Sequence, residues 1–103
     1  MKLQQLRFVL AIEECDLNIS KAAKFLYTSQ PGVSRQLRLL EEELGLNIFV
    51  RNGKQLIGTT EQGKVVLDKF RNIMELVSDI KDFSKETVPE RVSFSDLPQL
   101  AYA

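Results

Sequence analysis

The 103-residue chain holds 14 Lys/Arg and 14 Asp/Glu, no His, and one cysteine, Cys15. This length allows one domain with an appended element, and a hydrophobic content of 44% is that of a soluble globular chain rather than a disordered one. A lone thiol excludes an intrachain disulfide, and without His a zinc centre and a His-based triad are excluded, so no catalytic residue, metal or cofactor is assigned.

No apolar run reaches membrane-spanning length and no signal peptide opens the chain, so a cytoplasmic protein without a membrane partner is expected. The net charge is zero, yet the halves differ. Residues 1–54 carry eight Lys/Arg against six Asp/Glu, and residues 55–103 carry six against eight.

Residues 2–14 read as a first helix, with Leu3, Leu6, Phe8, Val9 and Leu10 on a broad apolar face. Asp16-Leu17-Asn18 is a short connection, and Cys15 is a small core filler. The next helix starts at Ser20, a suitable cap, and packs Ile19, Ala22, Ala23 and Leu26 on one side. The two alanines allow a second helix to cross closely. The corner from Leu26 to Gln30 lacks the glycine that many such turns use.

A third helix begins after Ser29, with Gln30 and Pro31 at its tip. Val33, Leu37, Leu40 and Leu44 form its buried stripe, and Ser34, Arg35 and Arg38 lie on the other side. Between Asp16 and Glu41 there is no acidic residue, while Lys21, Lys24, Arg35 and Arg38 fall there. A helix-corner-helix with an acid-free basic face is the pattern of a DNA reader. Glu41 and Glu42 lie three and four residues after Arg38, so Arg38 either pairs with them or faces a ligand. Arg35 has no acid at helical spacing.

Gly45 ends that helix. Residues 47–58 read as a hairpin: Ile48-Phe49-Val50, a two-residue turn at Asn52-Gly53, and Gln55-Leu56-Ile57 returning. Arg51 and Lys54 flank the turn with no acid nearby, which makes a basic wing. Thr59 with Gln62 matches a capping box and Thr60 is an equally good cap for a long helix reaching Glu86. Its Val66, Phe70, Ile73, Val77 and Ile80 keep a 4-3-4-3 spacing, the seam of a coiled coil, expected to pair two copies rather than fold back onto the first helix. Residues 88–103, with Pro89 and Pro98, read as a linker or the stub of a further domain.

The fold class is thus mainly α. A winged helix-turn-helix of three helices and a two-stranded hairpin occupies residues 1–59, with the helix-turn-helix at about 19–38. A dimerisation linker helix follows at 60–87.

Ser20-Lys21-Ala22-Ala23, Thr28-Ser29-Gln30-Pro31, Val33-Ser34-Arg35-Gln36-Leu37, Leu40-Glu41 through Leu44-Gly45, Phe49-x-Arg51 and Thr60-x-x-Gly63 resemble the DNA-binding domain of LysR-type transcriptional regulators over about residues 1–87. The segments Leu26 to Gly32 and Gly53-Lys54, and a wing one residue longer than the common pattern, resemble the branch that activates cysteine and sulfur-assimilation genes. Gln62 and Thr59 depart from the usual Ala and Leu, which touches packing more than DNA contact. The family carries a carboxy-terminal effector-binding domain at whose threshold this sequence stops, so no inducer site is expected here.

The resemblance implies double-stranded promoter DNA as partner and a homodimer, with tetramers open and RNA polymerase a further partner in the full-length context. Thr28, Ser29, Gln30, Pro31, Ser34, Arg35, Arg38, Arg51 and Lys54 are expected to face DNA, with Val66, Phe70, Ile73, Val77 and Ile80 at the dimer seam. Winged helices also serve as protein–protein modules, so a dimerising adaptor, or a short form that poisons full-length partners, is the alternative.

Overall fold

Each element of the chain is set by a local stop or start signal, and the computed structural model describes residues 1–87. The order is α1 (Leu3–Glu14), α2 (Ile19–Phe25), α3 (Gln30–Leu44), β1 (Phe49–Asn52), β2 (Gln55–Thr59) and α4 (Glu61–Thr87). The expected tail at 88–103 lies outside the described residues.

At the start of α1 the Lys2 amide donates to Gln5 Oε1 at 3.0 Å. The helix ends where Asp16 and Leu17 take positive φ values of 56° and 65°. Asn18, not Ser20, caps α2: its side chain accepts from the Lys21 amide at 2.9 Å. Ile19 and Ser20 therefore belong to the first turn. An Asn side chain bonding back to the amide three residues on competes well with serine for this position, and the Leu17 turn delivers it there.

The corner between α2 and α3 closes without glycine. Tyr27 takes φ 55°, while the Thr28 amide reaches back to the Ala23 carbonyl at 3.0 Å and the Tyr27 amide to Lys24 at 3.2 Å. This is the Schellman arrangement with a tyrosine in the left-handed position, which costs a residue with a Cβ roughly 1–2 kcal/mol. Ser29 then caps α3, accepting from the Gly32 amide at 3.1 Å.

The two strands pair antiparallel from Phe49↔Thr59 to Asn52↔Gln55, so the turn residues are Gly53-Lys54, one position later than Asn52-Gly53. Gly53 has φ 65° and Lys54 does not share the positive region, the pattern of a turn with glycine at its first central position. Between Val50↔Gly58 and Arg51↔Leu56 the register shifts, leaving Ile57 as an extra residue on β2. This is a β-bulge, one residue of β2 without a partner on β1.

Leu6, Val9 and Ile12 of α1, Ala22 and Ala23 of α2, Val33, Leu37 and Leu40 of α3, Ile48 and Phe49 of the wing, and Leu67 and Phe70 of α4 share one core. The long helix folds back onto α1 over part of its stripe only. Its first half lies on α1 through Leu67 and Phe70, with Arg71 bonded to Glu13 at 2.5 Å. Its second half leaves Leu76, Ile80 and Phe83 exposed at 61%, 67% and 65%. Phe70, expected at a seam between copies, is 3% exposed and belongs to the core of its own chain. Five apolar positions at one spacing cannot say where the underlying domain stops covering them.

Thr60, one of the two candidate caps, is the one used: its Oγ1 accepts from the Gly63 amide at 2.8 Å, while Thr59 remains in β2. Gly63 sits so close to the wing that a Cβ there would lie 2.0 Å from the Ile48 carbonyl oxygen.

Two stability measurements follow from these contacts. Gly63→Ala forces backbone apart and is expected to cost about 2–3 kcal/mol, a drop of roughly 10–20 °C in Tm by circular dichroism; an unchanged Tm would refute the close approach. Tyr27, 97% exposed, loses no packing when replaced. Tyr27→Gly relieves the left-handed strain and is expected to raise Tm by about 2–6 °C, whereas a fall would mean the corner is unstrained.

Candidate nucleic-acid interface

The sequence of α3 divides its surface by geometry. Val33, Leu37 and Leu40 are fully buried, which turns Pro31, Arg35 and Arg38 to solvent and leaves Ser34 half-buried at the edge. The helix is braced from behind. Gln5 of α1 is buried and its Nε2 donates to Gln36 Oε1 at 3.1 Å, and the amino-terminal ammonium of Met1 pairs with Glu43 at 2.6 Å. At the front, Pro31 has no N–H and the Gly32 and Val33 amides go to Ser29, so the Gln30 amide is left free in the first turn, with Thr28, Ser29 and Gln30 all exposed around it.

Two depressions flank this exposed face. One, about 500 Å³, is lined by Ser34, Arg38, Glu41, Glu42, Gly45, Leu46, Asn47 and Arg51 and runs between α3 and the base of the wing. The other, about 330 Å³, brings Gln30 and the start of α2 to Lys54 and Gln55 near the wing turn. The structure therefore groups Ser34 with Arg38 and Arg51, and Gln30 with Lys54. Thr28, Ser29, Pro31 and Arg35 line neither hollow and stand on the open tip and outer face of α3.

The charges are arranged differently from the expectation in one respect. Arg51 has an acid after all: its Nη2 donates to Glu41 Oε1 at 2.7 Å. The other carboxylate oxygen of Glu41 accepts from the Ile48 amide at 2.7 Å and lies 3.4 Å from the Phe49 amide. Glu41 is 6% exposed. It is consumed by the wing and does not pair with Arg38. Among the described residues Lys21, Lys24, Arg35, Arg38 and Lys54 form no ion pair. A cation without an ion pair is available to an anion.

Glu41 is the functional-site residue that spacing could have revealed. It lies four residues after Leu37 and eight after Val33, so it continues the buried row of α3. A carboxylate in such a row must meet a partner, and Arg51 ten residues on is the nearest cation that a reversing chain returns to it.

A basic face on the second helix of a helix-turn-helix, with a hairpin beside it and a long helix behind, agrees with what the chain resembles. Residues 3–64 match the family model described as bacterial regulatory helix-turn-helix protein, lysR family. The HTH-type transcriptional regulator CysB of Haemophilus influenzae is 44% identical over 86 residues, covering 84% of this chain and 27% of that protein. SsuR of Burkholderia cenocepacia is 53% identical over 66 residues, covering 64% and 21%. The chain thus spans about a quarter of the length of these two relatives.

Among solved structures, the complex of the CbnR DNA-binding domain with DNA superposes with a TM-score of 0.76 at 33% identity, covering 84% of this chain and 98% of that one. The BenM DNA-binding domain in complex with catB site 1 DNA gives 0.79 at 30% identity, covering 86% and 94%. The narrower resemblance, to the cysteine and sulfur-assimilation branch, agrees with the CysB and SsuR relatives. Fold, motif and relatives converge: the chain belongs to the LysR family of bacterial helix-turn-helix transcriptional regulators.

Proposed function

We propose that this chain reads a two-half-site promoter sequence as a cytoplasmic homodimer and directs the regulation of cysteine or sulfur-metabolism genes. The observation that carries the proposal is the row of unengaged cations on and around α3, from which the one buried acid, Glu41, has been withdrawn into the wing. The DNA complexes of the CbnR and BenM domains support it, and the CysB and SsuR relatives support the gene class.

In this reading α3 enters the major groove with Gln30, Ser34, Arg35 and Arg38 toward base edges or adjacent phosphates. Paired hydrogen bonds from Arg or Gln to guanine or adenine discriminate by roughly 1–3 kcal/mol each. Thr28, Ser29 and the Gln30 amide receive a phosphate at the positive end of the helix dipole. Lys54 extends the wing to the neighbouring backbone. Arg51 keeps most of its N–H groups after bonding Glu41, so it adds a phosphate contact from a fixed position. Pairing uses the exposed stripe Leu76, Ile80 and Phe83, with Ile73 and Val77 half-buried beside it. A two-fold pair of such helices sets two α3 helices on one face of the duplex. A dimerising adaptor without DNA would use the same stripe but would leave the unengaged Arg35 and Arg38 of α3 without a role.

Fluorescence anisotropy across a salt series, with a cysteine-biosynthesis promoter fragment and a scrambled duplex, tests the proposal. With about four phosphate contacts per subunit, the log–log salt slope is expected near −7, and a slope near zero would sink it. Arg35→Ala is expected to cost about 1–3 kcal/mol on the promoter and much less on the scrambled duplex, while Lys54→Ala weakens both alike; equal losses for both variants on both duplexes would remove the division between reading and anchoring. Ile80→Asp is expected to give a monomer by sedimentation velocity, and a persistent dimer would place the seam elsewhere.

A further inference from the structure

The direction of α4 relative to α3 passes through two residues that belong to neither helix. Ile48 donates its amide to Glu41 of α3 at 2.7 Å. Its carbonyl accepts the Thr60 amide, at the cap of α4, at 3.0 Å. The Thr60 hydroxyl donates to the Asn47 carbonyl at 2.5 Å and lies 3.2 Å from the Ile48 carbonyl, while its oxygen accepts from the Gly63 amide at 2.8 Å. The bare Cα of Gly63 lets the first turn of α4 rest directly on Ile48, whose side chain is fully buried. The other attachment of α4, along α1, is mainly apolar packing through Leu67 and Phe70 with one solvent-facing ion pair at Arg71. Packing of that kind resists separation more than it resists a small tilt. The hydrogen-bonded joint at the first turn fixes the angle.

We propose that the Asn47-Ile48 joint, closed by Thr60, sets the distance between the two α3 helices of a dimer and so selects the spacing of DNA half-sites. Thr60 is then a positioning residue for spacing, acting through the angle of α4 and touching no DNA. The leverage is sufficient. From Gly63 to Ile80 the helix runs roughly 25 Å, so a tilt of about 5° at the joint shifts the seam by about 2 Å. Both subunits tilt, so the separation of the two α3 helices changes by up to about 4 Å, comparable with the roughly 3.4 Å rise of one base pair. This inference rests on the DNA-reading dimer proposed above.

The test uses the whole chain and a duplex that it selects from a randomised library. Derivatives of that duplex carry one half-site only, or one base pair inserted or removed between half-sites. Wild type is expected to lose about tenfold or more in affinity on a one-base-pair change of spacing. Thr60→Val removes the hydroxyl at nearly constant shape. It is expected to lose less than about threefold on the same change and to keep single-half-site affinity within about twofold, with Thr60→Ser restoring the wild-type pattern.

Single-half-site affinity reports whether each variant is folded, and Thr60→Ala serves in the same comparison should Val not fold. Undiminished spacing discrimination in a folded Thr60 variant overturns the joint. So does a parallel fall in half-site and full-site affinity, which marks a merely structural hydroxyl. Failure of wild type to select any two-half-site duplex overturns the DNA-reading dimer instead, and is thereby told apart.

Discussion

A carboxylate inside a protein of this size cannot be left to itself, and the disposition of Glu41 governs much of the structure. Removing an unpaired carboxylate from water costs several kcal/mol or more, so the chain around it must supply donors. Here these are an arginine side chain and the backbone amide of Ile48, with that of Phe49 at longer range. Meeting that demand draws β1 against the end of α3 and fixes where the wing begins. It also engages one of the two carboxylates at helical spacing from Arg38, leaving the exposed Glu42 as the other. One side chain therefore both anchors the wing and keeps its own charge off the outward face of α3.

Much of this architecture is legible in the residues themselves because its signals are local. The Val33-Leu37-Leu40-Leu44 row, the Ser29 cap with Pro31 behind it, and Gly45 at the end delimit α3 almost to the residue. The acid-free window from Leu17 to Leu40 is visible in one dimension. What escapes local reading is whatever depends on a partner far along the chain. Arg51 looks unopposed because its acid is ten residues upstream and inside. The fate of Phe70 depends on how far α1 extends beneath α4. The α2 cap moves from Ser20 to Asn18 because the left-handed pair Asp16-Leu17 ends the turn earlier than capping preference alone implies. The hairpin turn lies one residue later because Asn52 pairs with Gln55 as the last residue of β1, which leaves Gly53 at the first central position.

The corner of the helix-turn-helix makes the same point in another way. Glycine is favoured in a left-handed position because it has no Cβ, yet Tyr27 occupies that position with its ring almost entirely in solvent. The close crossing of Ala22 and Ala23 with α3 overrides the local preference of the tyrosine. Tertiary packing decides the backbone here, and propensity yields to it.

The ammonium group of Met1 lies against Glu43, on the flank of α3 that faces α1. The pair is solvent-facing and adds little stability, but it puts Met1 beside α3. A purification tag fused there would replace the ammonium with a neutral peptide and crowd the flank of α3 with extra chain.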